Sequence, residues 1–487
     1  MRLRPVPTGT SPKQTGPAPR RTALSGAALA TAALLAAIAS CAPASPPPAP
    51  ATPSSAAAAP SAEAAPTSAP VPPGTDGNGG GKPSVITNAT LPRMPLGQFS
   101  NGLIAGSVPD DHGIALGGAG SDLYPAEDPN QYWVITDRGP NGQVKVDKDK
   151  RRTFPVPNFD PAILRISVQG SALHVEQAIP ITTTSGKPVT GLSNSDSRDE
   201  PPYDWTAGKT LPVNPAGLDT EGMVRVPNGD FWISEEYAPS ILHISPTGKV
   251  LTRFVPAGLA LPGTDYPVQA TLPAILAKRQ INRGFESMAI NPDGHTLYAA
   301  LQSPLGLPND KQGGNSRAVR VFAFDLNTGQ ATAEYVYPLE DVNRFDKGAD
   351  GDQSEMKISA MAWYGPDQLV VDERTDDVAK LYLIKLSGAS NVLGGPFDDV
   401  KHSPALEQTN LASASVTPVA KSPLIDLTAA IPGLPKKIEG IAVRDQHTIA
   451  VANDNDFGMT EGPDAFASNG KIHDSGVPSR LLLLHVP

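Results

Sequence analysis

A single cysteine, Cys41, stands in 487 residues, so an intramolecular disulfide is excluded and the fold must hold by its core alone. The eight histidines are scattered singly, and each reads as structural or exposed. Neither a Gly-x-Ser-x-Gly elbow nor a His-Glu-x-x-His pair occurs, which removes two common hydrolase signatures. Basic runs are missing and the net charge is -10; both argue against nucleic acid as a partner. Beyond the N-terminal region no apolar run reaches membrane-spanning length. Helical periodicity is nearly absent, with one short candidate at 272–280. What remains is strand, turn and long polar insert.

The first 83 residues read as export and tether. Arg2, Arg4, Lys13, Arg20 and Arg21 precede an Ala/Leu-rich run from Ala23 that ends at Ile38-Ala39-Ser40-Cys41. Charged start, apolar middle and small residues at the cut are the parts of a signal peptide, here spanning 1–40. The pattern resembles a bacterial lipobox, which implies lipidation of Cys41; Arg20-Arg21 also fits a twin-arginine signal. From 41 to 83 the chain is Pro, Ala, Ser and Gly with Glu63, Asp76 and Lys82 as its only charges. Such a stretch buries too little apolar surface to order itself and suits a spacer between a membrane-surface lipid and a domain at 84–487.

Within that domain a hairpin unit recurs. It reads TEGMVRVPNGDFWISEEY from Thr220, FESMAINPDGHTLYAALQ from Phe285, ISAMAWYGPDQLVVDER from Ile358 and IEGIAVRDQHTIAVANDN from Ile438, with a weaker copy from Gly120. Further short strands follow each copy, as in ILHISPTGKVLTRFV and RVFAFDLNTGQATAEYVY. Four strands per unit, repeated radially, predict an all-β propeller of five to seven blades, five of them countable; a β-sandwich is the alternative. The segment FSNGLIAGSVPDDHGIALGG, before the first hairpin, is expected to close the ring against RLLLLHV.

An antiparallel hairpin brings the start of one strand beside the end of the next. Regular pairing therefore puts Glu221 beside Glu235, Glu286 beside Gln302, Ser359 beside Asp372, Glu439 beside Asn453 and Asp454, and Asp122 beside Asp137. In a propeller these ends converge on one mouth of the central channel. Asp137, Glu221, Glu286, Glu439 and Asp454 would then repel one another unless a cation or protons intervene. Carboxylate and amide oxygens suit a divalent cation, Ca²⁺ first, with Mg²⁺ or Mn²⁺ as alternatives; solvated rim acids are the plainer reading. Arg138, Arg283, Lys357, Arg374 and Lys437 lie beside them in sequence. They are either internal counter-ions or a clamp for phosphate.

With WVITDRGPNG, GLDTEGMVRVPNGDFWISEEY, NRGFESMAINPDGHTLYAALQ, LVVDER and KIEGIAVRDQ in hand, the chain resembles the family described as esterase-like activity of phytase. The resemblance runs from about Gly102 to Val486. It implies an exported propeller that hydrolyses phosphoesters or esters, and carries over no catalytic residue. The family-like Glu-Gly step is Ser359-Ala360 in the fourth unit and Ser121-Asp122 in the first, so the carboxylate ring is broken twice. The expectation is a monomeric, lipid-anchored hydrolase of a small phosphorylated or ester substrate. Asp137, Glu221, Glu286, Glu439 and Asp454 would hold the cation; Glu286 or Glu439 would act in catalysis, with Arg138, Arg283 and Lys437 on the phosphate. A metal-dependent lactonase or carboxyl-esterase is the first alternative, and a non-catalytic binding propeller the second.

Overall fold

The computed structural model describes residues 82–487 apart from 104–107, 196–199, 307–314, 347, 349 and 350. The expected signal segment, Cys41 and all but the end of the tether lie outside the described residues. The strands in chain order are β1 (Ser84–Thr90), β2 (Asp122–Pro125), β3 (Gln131–Ile135), β4 (Gly142–Val146), β5 (Asp149–Thr153), β6 (Ala162–Gln169), β7 (Ala172–Pro180) and β8 (Pro202–Tyr203). Next come β9 (Thr220–Arg225), β10 (Phe231–Glu235), β11 (Ser240–Ile244), β12 (Val250–Pro256), β13 (Val268–Leu272), β14 (Phe285–Ile290), β15 (Thr296–Leu301), β16 (Ala318–Asp325) and β17 (Gln330–Pro338). The last are β18 (Lys357–Gly365), β19 (Gln368–Arg374), β20 (Ala379–Lys385), β21 (Ala420–Asp426), β22 (Ile438–Asp445), β23 (Thr448–Asn453) and β24 (Arg480–His485).

Twenty-one of these strands make five blades, and β4, β5 and β8 form a separate three-stranded sheet. Blade 1 is β2-β3-β6-β7, blade 2 β9 to β12 with β13 added at its edge, blade 3 β14 to β17, and blade 4 β18 to β21. Blade 5 is β22-β23-β24-β1, so the first strand of the domain is the outermost strand of the last blade. The inner strands β2, β9, β14, β18 and β22 each contact the next, and β22 returns to β2. The chain is a five-bladed β-propeller. Its apolar core is divided among the interfaces between neighbouring blades: Ile135 and Ile233 pack in one such cluster, Phe285 and Met361 in another, Leu381 and Ile441 in a third. Burying both faces of each sheet this way is what a disulfide-free propeller needs.

The closure differs from the sequence expectation. RLLLLH pairs antiparallel with SVITNAT, from Ser84 opposite His485 to Thr90 opposite Arg480. The segment expected in that role begins instead inside a short helix, α1 (Leu96–Gly102). SVITNAT is exposed along most of its length, so it lacks the apolar alternation that marks a strand, and backbone pairing alone defines it. The helical candidate at 272–280 is a single 3-10 turn, Ala274–Lys278. No helix among the described residues is long and apolar enough to cross a membrane.

Candidate functional site: the polar mouth of the channel

Four of the five inner strands begin with an irregularity, and only β2 pairs with its neighbour in unbroken register. Register slips between Phe285 and Ser287, between Ile358 and Ala360, and between Ile438 and Gly440, so the extra residue is Glu286, Ser359 or Glu439. In blade 2 the slip falls between Thr220 and Met223, on the Glu221-Gly222 step. A β-bulge leaves one residue unpaired and re-aims its side chain. Here it turns the carboxylate out of the ladder and over the mouth. Gly222 belongs to the device: a Cβ there would lie 2.8 Å from the Met288 nitrogen of the next blade, so only glycine lets the two inner strands approach.

The mouth is a cavity of about 500 Å³ lined by ten carboxylates against seven cationic side chains. Asp137, Arg138, Glu221, Arg283, Glu286, Lys437, Glu439 and Asp454 all line it, although they are spread over more than 300 positions of sequence. The cations divide by what they touch. Arg138 donates to Asp219 at 3.2 Å and to the Gly191 carbonyl at 2.9 Å, its guanidinium lying 4.0 Å from the Tyr237 ring centre. Lys437 holds both oxygens of Asp456 at 2.6 Å. Arg374 joins Glu439, the Ser359 hydroxyl at 2.8 Å and Asp376 at 3.1 Å; Lys357 pairs with Asp376 at 2.8 Å. Arg283 is different. It donates to the Ser303 hydroxyl at 2.8 Å and the Ser354 carbonyl at 3.1 Å, and among the described residues no carboxylate pairs with it.

The acids crowd together among these cations. Ligand oxygens of Asp219, Glu221 and Glu236 all lie within 4.8 Å of one another, and all three residues are buried. Glu236 Oε1 and Glu286 Oε2 are buried without a hydrogen-bond partner, a cost a protein rarely leaves standing. Burial first, then the neighbouring charges of Glu286 and Asp219, pushes the Glu221 and Glu236 carboxyls well above the usual range. Asp137 is raised by burial and then Asp219, Asp454 by burial and then Asp456. Glu286 is raised to about 7, by burial and then Glu439. Burial also pulls Arg283 down, and burial with repulsion from Arg374 and Arg283 pulls down Lys357. Elsewhere at the same mouth paired groups shift the other way, Arg374 and Lys437 upward and Asp376 and Asp456 downward. Three buried carboxylates as close as Asp219, Glu221 and Glu236 could hold a divalent cation.

Two neighbours expected from regular pairing are displaced. Glu235 turns into blade 2, where Arg253 donates at 2.7 Å and the Ala238 amide at 2.9 Å. Glu236, one residue on, lines the mouth in its place. Its position is fixed where a Cβ on Gly284 would meet the Glu236 carbonyl at 1.9 Å. Asp122 accepts the Met223 amide at 2.7 Å across the blade interface, away from Asp137. Ser359 faces Glu286 Oε1 at 3.3 Å as well as Arg374, while both oxygens of Asp372 are buried without a partner. Asp219 and Glu236 were missed from sequence. The signal for them is the doubled pattern Asp-Thr-Glu and Glu-Glu at opposite ends of one hairpin. The left-handed backbone of Asn282 (φ 57°), Lys437 (φ 53°) and Asp456 (φ 48°) places three strained residues around the same mouth.

A family model described as "Phytase-like: Esterase-like activity of phytase" matches residues 114–457. An "Uncharacterized secreted protein" of Arthroderma benhamiae is 27% identical over 287 residues, 49% of this chain and 56% of its own length. The chain thus spans little more than half of that relative. Among solved structures, hydrazine synthase of Kuenenia stuttgartiensis aligns at 12% identity over 72% of this chain and 81% of its own, with a TM-score of 0.31. Regucalcin of Agrobacterium tumefaciens, a calcium-binding protein, aligns at 12% over 78% and 94%, with a TM-score of 0.30. At such scores neither structure carries an argument about the site.

Proposed function

The chain belongs to the phytase-like, esterase-like family, and on that premise we propose that it is an exported hydrolase of phosphate esters working at the polar mouth with a divalent cation. One observation carries the reading. A buried carboxylate triad with an orphaned oxygen shares a single cavity with Arg283 and Lys357. Asp219, Glu221 and Glu236 would hold the cation, Ca²⁺ by the all-oxygen donor set, with Asp137, Glu439 and Asp454 adding to the field. The cation would supply Lewis acidity towards a phosphoryl oxygen. Arg283 and Lys357 bind the remaining phosphoryl oxygens, Arg283 being held in place by Ser303 and Ser354. Glu286 Oε2 takes a proton from the attacking water, and its carboxyl near 7 suits that task at neutral pH. The water oxygen forms the new bond to phosphorus, and the alcohol departs with the proton returned by Glu286.

Export is supported by the secreted relative and by the signal-like first 40 residues; lipid on Cys41 would then hold the propeller at the membrane surface. A carboxyl ester or lactone is the second reading. It is favoured by the ion pairing of Arg138, Arg374 and Lys437, which leaves fewer cations for phosphate. Phosphate release from aryl phosphates and hydrolysis of lactones, each with and without chelator, separates the two. In the first reading chelation stops phosphate release and Ca²⁺ restores it. Glu221→Gln and Glu236→Gln then lower calorimetric Ca²⁺ affinity and cut turnover more than about 100-fold, beyond what loss of an outer partner does. Cation-independent turnover, or Ca²⁺ binding untouched by both substitutions, overturns it.

A further inference from the structure

Beside the charged mouth opens a second cavity of about 240 Å³ that shares Gly142, Gln143, Met459 and Thr460 with it. None of the described residues lining this cleft is charged. Its aromatic wall is Trp205 and Phe466, backed by His112, and the three come from distant segments. His112 precedes blade 1, Trp205 lies in the insert before blade 2, and Phe466 lies in the insert between β23 and β24. Trp205 and Phe466 have ring centres 5.5 Å apart, and His112 stands 5.6 Å from the one and 5.8 Å from the other. The His112 Nδ1–H donates to the Gly470 carbonyl at 2.7 Å. That bond holds the trio from behind, where a Cβ on Gly470 would lie 3.4 Å from the indole, in ordinary van der Waals contact. Trp205 and Phe466 stay partly exposed, and both line the cleft.

We propose that this cleft seats the alcohol half of the ester, and that this half is an uncharged aromatic or similarly apolar ring. The inference rests on the hydrolase reading above and adds its substrate class. The two cavities adjoin at four shared lining residues, so one molecule would place its charged group in the mouth and its ring against Trp205 and Phe466. Size agrees, since an apolar cavity of about 150 Å³ already holds benzene, so 240 Å³ takes one substituted or fused ring. Chemistry agrees as well. A second phosphate in the cleft would be stripped of water with no cation to receive it, whereas a ring gains offset or edge contacts with the aromatic wall. The cleft thus selects for a monoester of an aromatic alcohol and against a polyphosphorylated one.

Calorimetric titration of the full chain with 2-naphthol tests the cleft without any turnover. Saturable one-to-one binding is expected, weakened on the order of tenfold in Trp205→Ala and in Phe466→Ala and kept in Trp205→Phe. Thr206→Glu, at an exposed rim position of the cleft, introduces charge without removing packing and is expected to weaken binding too. In turnover, the preference for 2-naphthyl phosphate over glycerol 2-phosphate falls by the same factor in Trp205→Ala. No saturable binding to the unaltered chain, or equal binding to Trp205→Ala, Phe466→Ala and Thr206→Glu, overturns the inference. If neither ester is hydrolysed with any cation the hydrolase reading falls, and the naphthol titration still decides the cleft.

Discussion

The channel has two mouths built from the same five strands, and they are chemical opposites. Where the strands begin, the bulged Glu221, Glu286 and Glu439 present carboxylates to a cavity of about 500 Å³. Two residues further on, Leu123, Met223, Met288, Met361 and Ile441 are buried side by side and line a funnel of about 460 Å³ that opens at the other end. The pleat sends alternate side chains to opposite faces of a strand, but here polarity changes along the channel rather than across a sheet. The bulge accounts for it: it adds one residue at the polar end, while regular pairing resumes at the methionines. The apolar plug then serves the charged end. An apolar floor beneath the carboxylates adds to the burial that comes first among the causes raising them.

The comparison breaks hardest at Arg374. Replacing it with Met leaves Glu439 in the polar mouth without its guanidinium, a loss of about 3–5 kcal/mol for one partner of a buried pair. In the plug, Met288→Ala leaves only a cavity and costs about 2–5 kcal/mol. Denaturant unfolding of both separates the causes. Adding Glu439→Leu to Arg374→Met recovers most of the loss, because the orphaned charge is gone. No such partner restores Met288→Ala, short of refilling the volume. If Glu439→Leu deepens the Arg374 defect, the mouth is held by packing and not by charge.

Much of this was legible in advance, for reasons that can be located. Glu221, Glu286 and Glu439 recur at one place in a hairpin, and a repeated hairpin in a closed ring has nowhere else to put them. Register to one residue was not legible. Regular pairing names Glu235, whereas the bulge at Glu221-Gly222 shifts the strand end so that Glu236 faces the cavity. The buried Arg253 that claims Glu235 is 18 residues further on in another strand, with nothing local to announce it. The closing strand was illegible too, since SVITNAT is held by backbone pairing to β24 and not by an apolar face. The aromatic cleft needs three inserts to meet, which strand patterning does not address.

Titration gives the next largest effect, and only at the polar mouth. Glu286 in the folded chain holds its proton to about 7, whereas unfolded it releases it near 4.3. Between these values the folded state binds more protons than the unfolded one, so stability falls as pH rises through that window. Cation-free protein is therefore expected to melt lower at pH 7.5 than at pH 5, with a flatter profile in Glu286→Gln. Ca²⁺ is expected to raise the melting temperature more at pH 7.5, where the carboxylates it neutralises are ionised. A profile that rises across this window, or a Ca²⁺ effect largest at pH 5, contradicts the account.

The smallest effect belongs to the charge pair at the apolar end. Arg225 pairs there with Glu127 at the rim of the funnel, where Glu127 is largely exposed. The Glu127→Gln substitution is expected to cost no more than about 1 kcal/mol, and less in salt. Arg225 itself matters more, since its guanidinium lies 5.1 Å from the Trp133 ring and 5.6 Å from Phe231, and that packing survives loss of the acid. Unfolding in low and high salt reads the difference. A Glu127→Gln loss that rivals Arg374→Met would mean that the lower mouth, too, depends on charge, and the contrast between the two ends of the channel would be gone.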